Sequence, residues 1–231
     1  MPLFDSRERT SHTLRALAWL LGYPDAGLRG HLAELQGALH AERALGPGRL
    51  AELDRLMARL RSAPGLQAEQ AYVELFDRGR GTALHLFEHV HGDSRERGGA
   101  MVALLRSYEE AGLILAPGEL PDYLPVLLEY ASTQPAAQAR AFLREFAHIL
   151  QRLLAALARR ESAYASVMGA LLDLAGEAAQ PVTLPDEPGL DESWEEPAVF
   201  GGCSTQGQAG PAQAQTIRIV KNPASAPGAR P

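Results

Sequence analysis

The sequence predicts an all-α protein, and three observations carry that expectation. Leucines recur every three or four residues in segment after segment up to about residue 178. Leu and Ala supply most of the 46% apolar content while aromatics are only 6%, a mixture that suits closely packed helices better than sheets. No alternating strand pattern occurs before residue 180.

Taken in order, a first helix starts at Thr10 or Ser11, either able to cap it, and carries Leu14, Leu17, Ala18 and Leu21 to a stop at Gly22 and Pro24. Leu28, Leu32, Leu35 and Leu39 mark a second, ending near Gly46-Pro47, and Leu50, Leu53, Leu56 and Leu60 a third, ending at Pro64-Gly65. Each shows one apolar stripe opposite a charged face, as helices on a shared core do. A fourth holds Tyr72, Val73, Leu75 and Phe76 and breaks in the loop DRGRG. A helix containing the histidines follows, then one from about Ser94 to Ala111, a Gly/Pro-rich turn, and one from about Leu120 to Ser132. Pro135 opens a helix that runs through Phe142 and Phe146 to Leu157, and a last helix covers about Ser162 to Ala178. The expectation is a single helical-bundle domain of about eight to nine helices over residues 1–180.

Residues 181–231 change character. An acidic, Pro-rich stretch gives way to low-complexity GGCSTQGQAGPAQAQ, too poor in apolar residues to offset chain entropy, so this tail is expected to be disordered. Trp194, Val199 and Phe200 are apolar beads along it, and TIRIVK carries a weak strand signal.

Composition removes several functions. A net charge of −6 argues against nucleic-acid binding, which needs a concentrated basic face. The single cysteine, Cys203, excludes an internal disulfide and all-thiolate metal sites within one chain. The N-terminus lacks the apolar core of a signal peptide, and no run reaches the length of a membrane span, so a cytoplasmic protein without membrane insertion is expected.

Among motifs, HLFEHVHGDSRERG places His85, His89 and His91 within seven positions. The four-residue spacing of His85 and His89 puts both on one helical face and invites a metal ion, with Glu88 and Asp93 as oxygen donors. The pattern is not that of metalloproteases, and a helix end is favoured over a metal site: histidine suits a helix C-terminus, Gly92 stops the helix, and Asp93 or Ser94 caps the next. DRGRG follows no strand and lacks the Lys-Ser/Thr of a phosphate loop, and no nucleophile elbow occurs. In GELPDYLPVLLEY, Glu119, Pro121 and Asp122 obey ordinary capping rules. The same stiff, acidic joint beside an apolar helix face would also receive a basic amphipathic helix. On the residues alone, capping outweighs binding.

Three stretches taken together add a resemblance. YVELF (72–76), FEHVHGDSRERGGAMVALLRSYEEAGL (87–113) and GELPDYLPVLLEYAS (118–132) resemble the NarJ-type chaperones of respiratory nitrate reductase, within the redox-enzyme maturation proteins. LRALAWLLGYPD and WEEPAVFGGC are similar to the same group, and the motif order is kept over roughly residues 10 to 205. Tyr123 is a departure, since the wider family often has a histidine there. The resemblance implies a non-enzymatic, all-helical cytoplasmic chaperone without a tightly bound cofactor. Its partner would be the N-terminal peptide of the catalytic subunit, which it holds while the molybdenum cofactor is inserted. Another molybdenum oxidoreductase as client, or a metal-binding histidine cluster, is the alternative. On this basis Tyr72 and Phe76 are expected to line an apolar groove, and Glu119, Pro121, Asp122 and Tyr123 to form its rim. His85, His89, Asp93, Arg95, Arg97 and Gly98 are expected to hold the joint between two central helices.

Overall fold

The computed structural model describes residues 9–78, 80–91 and 96–184, within a compact unit running Met1–Asp186. It is all-α, with α1 Ser11–Leu20, α2 Ala26–Glu42, α3 Pro47–Ser62, α4 Gly65–Phe76, a 3-10 turn Arg80–Thr82, α5 Glu88–His91, α6 Glu96–Glu110, α7 Leu124–Thr133, α8 Ala136–Glu145, α9 Ala147–Arg159 and α10 Ala165–Ala175. Among the described residues the one β pairing is an isolated antiparallel bridge between His85 and Tyr123. No helix of the described residues is long and apolar enough to cross a membrane. The expectations for Trp194, Val199, Phe200, Cys203 and TIRIVK lie outside the described residues.

α1 packs on α7 and α2, while α10 packs on α9, α8 and α3. Leu14, Leu17 and Leu20 of α1 meet Leu124, Leu127 and Leu128 of α7 in one large apolar core. In α10, Val167, Met168, Ala170, Leu171 and Leu172 are all buried, as befits a helix apolar on every side. α6 is different. Only Leu104 and Tyr108 of its fifteen residues are buried, and they join Phe87 in a second, small cluster that includes Tyr130, Phe142 and Phe146.

Several boundaries differ from the sequence reading, each for a local reason. No side chain of Thr10 caps α1; the Glu42 carboxylate reaches across from α2 and accepts from the amides of His12 (3.2 Å) and Thr13 (2.6 Å). The single helix expected through Phe142 to Leu157 breaks at Phe146, whose amide bonds back to Leu143 in a tightened turn. Phe142 and Phe146 at that break pack against both the small cluster and the main core, while Ile149, Leu150, Leu153 and Leu157 lie in the main core. The break brings the described helices to ten. α7 begins at Leu124 and not near Leu120, because residues 121–122 form a turn closed by the Tyr123 amide on the Leu120 carbonyl, Tyr123 pairs with His85, and Pro125 then sits in the first turn. α10 ends at Gly176, which takes φ +76° while Glu177 donates back to the Leu172 carbonyl.

Candidate functional site

The Pro121–Asp122 segment is an internal clamp. The Leu86 amide donates to the Asp122 carbonyl (3.0 Å), the Leu124 amide to the Leu84 carbonyl (2.9 Å), and the Phe87 amide to Asp122 Oδ2 (3.2 Å). The Asp122 side chain is wholly buried, with His85 Nδ1 at 3.5 Å and Arg97 Nη2 at 3.5 Å. Arg97 also reaches Glu88 at 3.5 Å, and Tyr108 of α6 donates to the Pro121 carbonyl at 2.7 Å. Both Arg97 and Tyr108, three turns apart on α6, are thus tied to one dipeptide. A carboxylate is buried only where cations and donors surround it. Asp122 is therefore not part of an exposed acidic rim, and Pro121, also buried, is not either. Glu119 is exposed; Tyr123 is half-buried, its ring 5.1 Å from that of His85 and its hydroxyl 3.5 Å from that of Tyr72.

The histidines do not share a helical face. His85 lies in the extended bridge before α5, so the helix expected to hold it begins only at Glu88. His89 Nε2 donates to the Ala83 carbonyl at 2.8 Å, and Arg152 of α9 donates to the His89 carbonyl at 3.2 Å. One imidazole thus addresses a carboxylate and the other a backbone carbonyl, so their nitrogens serve the joint. Among the described residues no group of three His, Cys, Asp or Glu is placed to hold a metal ion. Asp93 and Arg95 lie outside the described residues. Gly98 is exposed, and a side chain there would meet open space, so the joint has no steric need for that glycine.

The two imidazoles titrate in opposite senses. Polar contact with Asp122 holds the His85 pKa above its ordinary value against partial burial, whereas burial pulls that of His89 down. The stability from His85 is complete below its unfolded pKa of about 6.5 and is lost as pH rises through the higher folded value. For His89 the unfolded state takes the proton first, so stability falls as pH drops below about 6.5 towards the lower folded value. Urea midpoints across the neutral and mildly acidic range are expected to lose the decline on the alkaline side in His85→Asn and the decline on the acid side in His89→Asn. Unchanged slopes in both variants would remove this account.

Tyr72 and Phe76 belong to the core. Ala68, Tyr72 and Phe76 form the buried stripe of α4, and the rings of Tyr72, Phe76 and Tyr164 meet in tilted and edge-to-face contacts with centroids within 6.2 Å of one another. The Tyr72 hydroxyl donates to the Leu21 carbonyl at 2.7 Å, tying α4 to the end of α1. Tyr72 also edges a cleft of about 500 Å³ between α3, α4 and the α9–α10 turn, while Phe76 is buried in the main core. The reason is the helical period: positions four apart on α4 share its inward face.

A larger groove of about 640 Å³ lies between α6 on one side and α8 and α9 on the other, with Phe87, Tyr130, Phe142 and Phe146 in its lining. Sequence reasoning missed it. The available signal was the Phe142/Phe146 pair, two aromatics four apart in a chain poor in aromatics.

The sequence is similar to that of several known proteins. The sequence model of the family described as nitrate reductase delta subunit matches residues 25–168, from the cap of α2 into α10. The chain is 47% identical over 159 residues to the nitrate reductase molybdenum cofactor assembly chaperone NarJ of Escherichia coli K12, covering 69% of this chain and 67% of that protein. It is 51% identical over 117 residues to the probable chaperone of the same description, NarW, from that organism, covering 51% of each. To the probable NarJ of Bacillus subtilis 168 it is 29% identical over 163 residues, covering 69% of this chain and 86% of that one.

Proposed function

The chain belongs to the nitrate reductase delta subunit family, and on that premise we propose that it captures the N-terminal peptide of the enzyme's catalytic subunit and holds that subunit in the cytoplasm. Its role is that of a maturation chaperone for nitrate reductase, serving insertion of the molybdenum cofactor. The cofactor is cargo destined for the client; the chaperone performs no catalysis and keeps no metal of its own. The observation that supports this reading is the family match over residues 25–168, which takes in the whole clamp around Asp122 and the α6 groove.

The physical demands agree with the task. A peptide that orders on binding gives up part of its interaction energy to that ordering, so a pre-formed receptor raises affinity. The ties from Arg97 and Tyr108 to the Pro121–Asp122 clamp keep α6 in place in the absence of a client. Isothermal titration of the full chain with a synthetic peptide of the client's first fifteen or so residues is expected to show saturable binding that weakens as salt rises. Metal analysis of untagged protein is expected to find no stoichiometric metal. Absence of saturable binding removes the peptide role; near-stoichiometric zinc or iron lost in His89→Ala removes the reading of the histidines.

A further inference from the structure

Two clefts meet along α3. The cleft of about 500 Å³ that Tyr72 edges has aliphatic walls, Leu56 and Leu60 of α3 against Ala71 and Leu75 of α4, and closes on the α9–α10 turn. A second, of about 320 Å³, runs between α3 and the start of α10. Arg59, Glu161, Ser162 and Ala163 line both, so the two form one trough with an apolar chamber and a polar one.

Glu161, at the junction, is a costly choice of residue. It takes φ 51° just after the C-cap of α9, a position where glycine is usual, and Ser162 donates back to the Leu157 carbonyl at 2.9 Å. A carboxylate there also opposes the negative end of the helix dipole. Among the described residues the other non-glycine with positive φ is Arg43, which closes α2 and whose cation suits a helix end. Nor does Glu161 cap α10. The Tyr164 amide donates to Ser162 Oγ, and those of Ala165, Ser166 and Val167 donate to the carbonyls of Ser162, Ala163 and Tyr164.

The charges of the trough are divided. Arg49 is already paired, with Glu52 and, at 2.8 Å, with Asp173. Arg160 donates to Thr82 Oγ1 at 3.0 Å. Arg55, Arg59 and Glu161 are exposed, and none of these three side chains has a hydrogen bond or ion pair among the described residues. No Lys or His is among the described lining residues of either chamber. Opposite charges that line one trough without pairing to each other suit a ligand that bridges them. A carboxylate accepts from an N–H edge, guanidiniums donate to phosphate, and aliphatic walls take a flat ring.

We propose that this trough receives the phosphorylated pterin of the molybdenum cofactor in transit to the client, Glu161 accepting from the amino and N–H edge of the ring and Arg55 and Arg59 taking the phosphate. This assignment rests on the reading of the chain as a chaperone for cofactor insertion and adds the place where the cargo is held. Exposed, water-screened charges give the weak and reversible grip that delivery needs.

Titration of 6-hydroxymethylpterin diphosphate with the full chain, followed by the anisotropy of the pterin's own fluorescence, tests it. Saturable binding that weakens as salt rises is expected. Glu161→Gln is expected to weaken it by about tenfold, since an amide offers one acceptor and turns a donor towards the ring edge. Arg55→Ala combined with Arg59→Ala is expected to weaken it by about tenfold and to flatten the salt dependence. Glu161→Gly separates binding from stability: it relieves the backbone and is expected to melt no more than about 2 °C below the parent, while binding falls as in Glu161→Gln. ADP, whose adenine lacks an amino group beside a ring N–H, is expected to bind at least about tenfold more weakly than the pterin diphosphate. Parent-like pterin binding by Glu161→Gln and by the double arginine variant, or equal binding of ADP, overturns the site. Tighter binding of GDP, which shares the ring edge, overturns the assignment to the cargo. A parent chain that binds the client peptide but not the pterin overturns this site alone; one that binds neither overturns the chaperone reading as well.

Discussion

Asp122→Ala is expected to lower Tm by about 5–10 °C, the consequence of removing about 2–3 kcal/mol from a helical body of this size. The carboxylate is fully buried, and its loss removes the acceptor of the Phe87 amide at 3.2 Å and takes the anion away from His85 and Arg97 together. Those two side chains keep partial solvent access, 34% and 24% exposed, so water moderates the penalty below that of a fully buried pair. Asp122→Asn retains an acceptor for Phe87 without the charge and is expected to fall between the parent and alanine. Glu119→Ala, three residues away but exposed, is expected to change stability by no more than about 0.5 kcal/mol. Thermal melts of the three variants check the order. Equal melting of Asp122→Ala and Glu119→Ala would return Asp122 to the rim role that its buried position denies.

Tyr72→Ala is expected to cost about 3–5 kcal/mol, the range for emptying an aromatic site in a packed core. Its ring contacts Tyr23, Phe76 and Tyr164, and its hydroxyl holds the Leu21 carbonyl at the end of α1. Tyr72→Phe keeps the ring and strands that carbonyl, for about 1–2 kcal/mol. Tyr164→Phe is the control: its hydroxyl is buried without a hydrogen-bond partner, so removing it is expected to cost less than about 0.5 kcal/mol or to stabilise slightly. Burial raises the pKa of both phenols, so neither contributes a charge in the neutral range. Urea denaturation of the series resolves the steps. If Tyr72→Ala unfolds like the parent but no longer binds client peptide, Tyr72 is a contact residue and its assignment to the core is wrong.

These two residues show how far the motifs could be read. Tyr72 and Asp122 stand out because family resemblance marks them, and both hold structural positions at its centre. The sequence cannot distinguish a residue that touches a client from one that shapes the surface a client meets, since each is under the same chemical constraint of type and spacing. His85 and His89 illustrate the other limit. Their spacing fits one helical face, yet the Asp122 clamp draws His85 into an antiparallel bridge with Tyr123, and hydrogen bonds between distant segments override the local period. Glu42 capping α1 from α2 is the same effect in miniature, because no local reading of Thr10 reveals a carboxylate some thirty residues away.

The sequence by itself determined the helical class, the placement of most helices, and the stops at Gly22, Pro64 and the residues after α10, because leucine periodicity and Gly/Pro punctuation act within a few residues. It also determined family membership, since ordered motifs survive without coordinates. Only the tertiary structure decided that Asp122 faces inward, that Phe146 breaks one helix into two, and that α6 stands off the core to leave an apolar groove. Each depends on partners distant along the chain, and burial and hydrogen bonding are settled only when those partners meet. HLFEHVHGDSRERG and GELPDYLP read separately as a metal-like cluster and a stiff turn; in the fold, residues 84–88 of the first and 121–124 of the second are the two sides of one clamp.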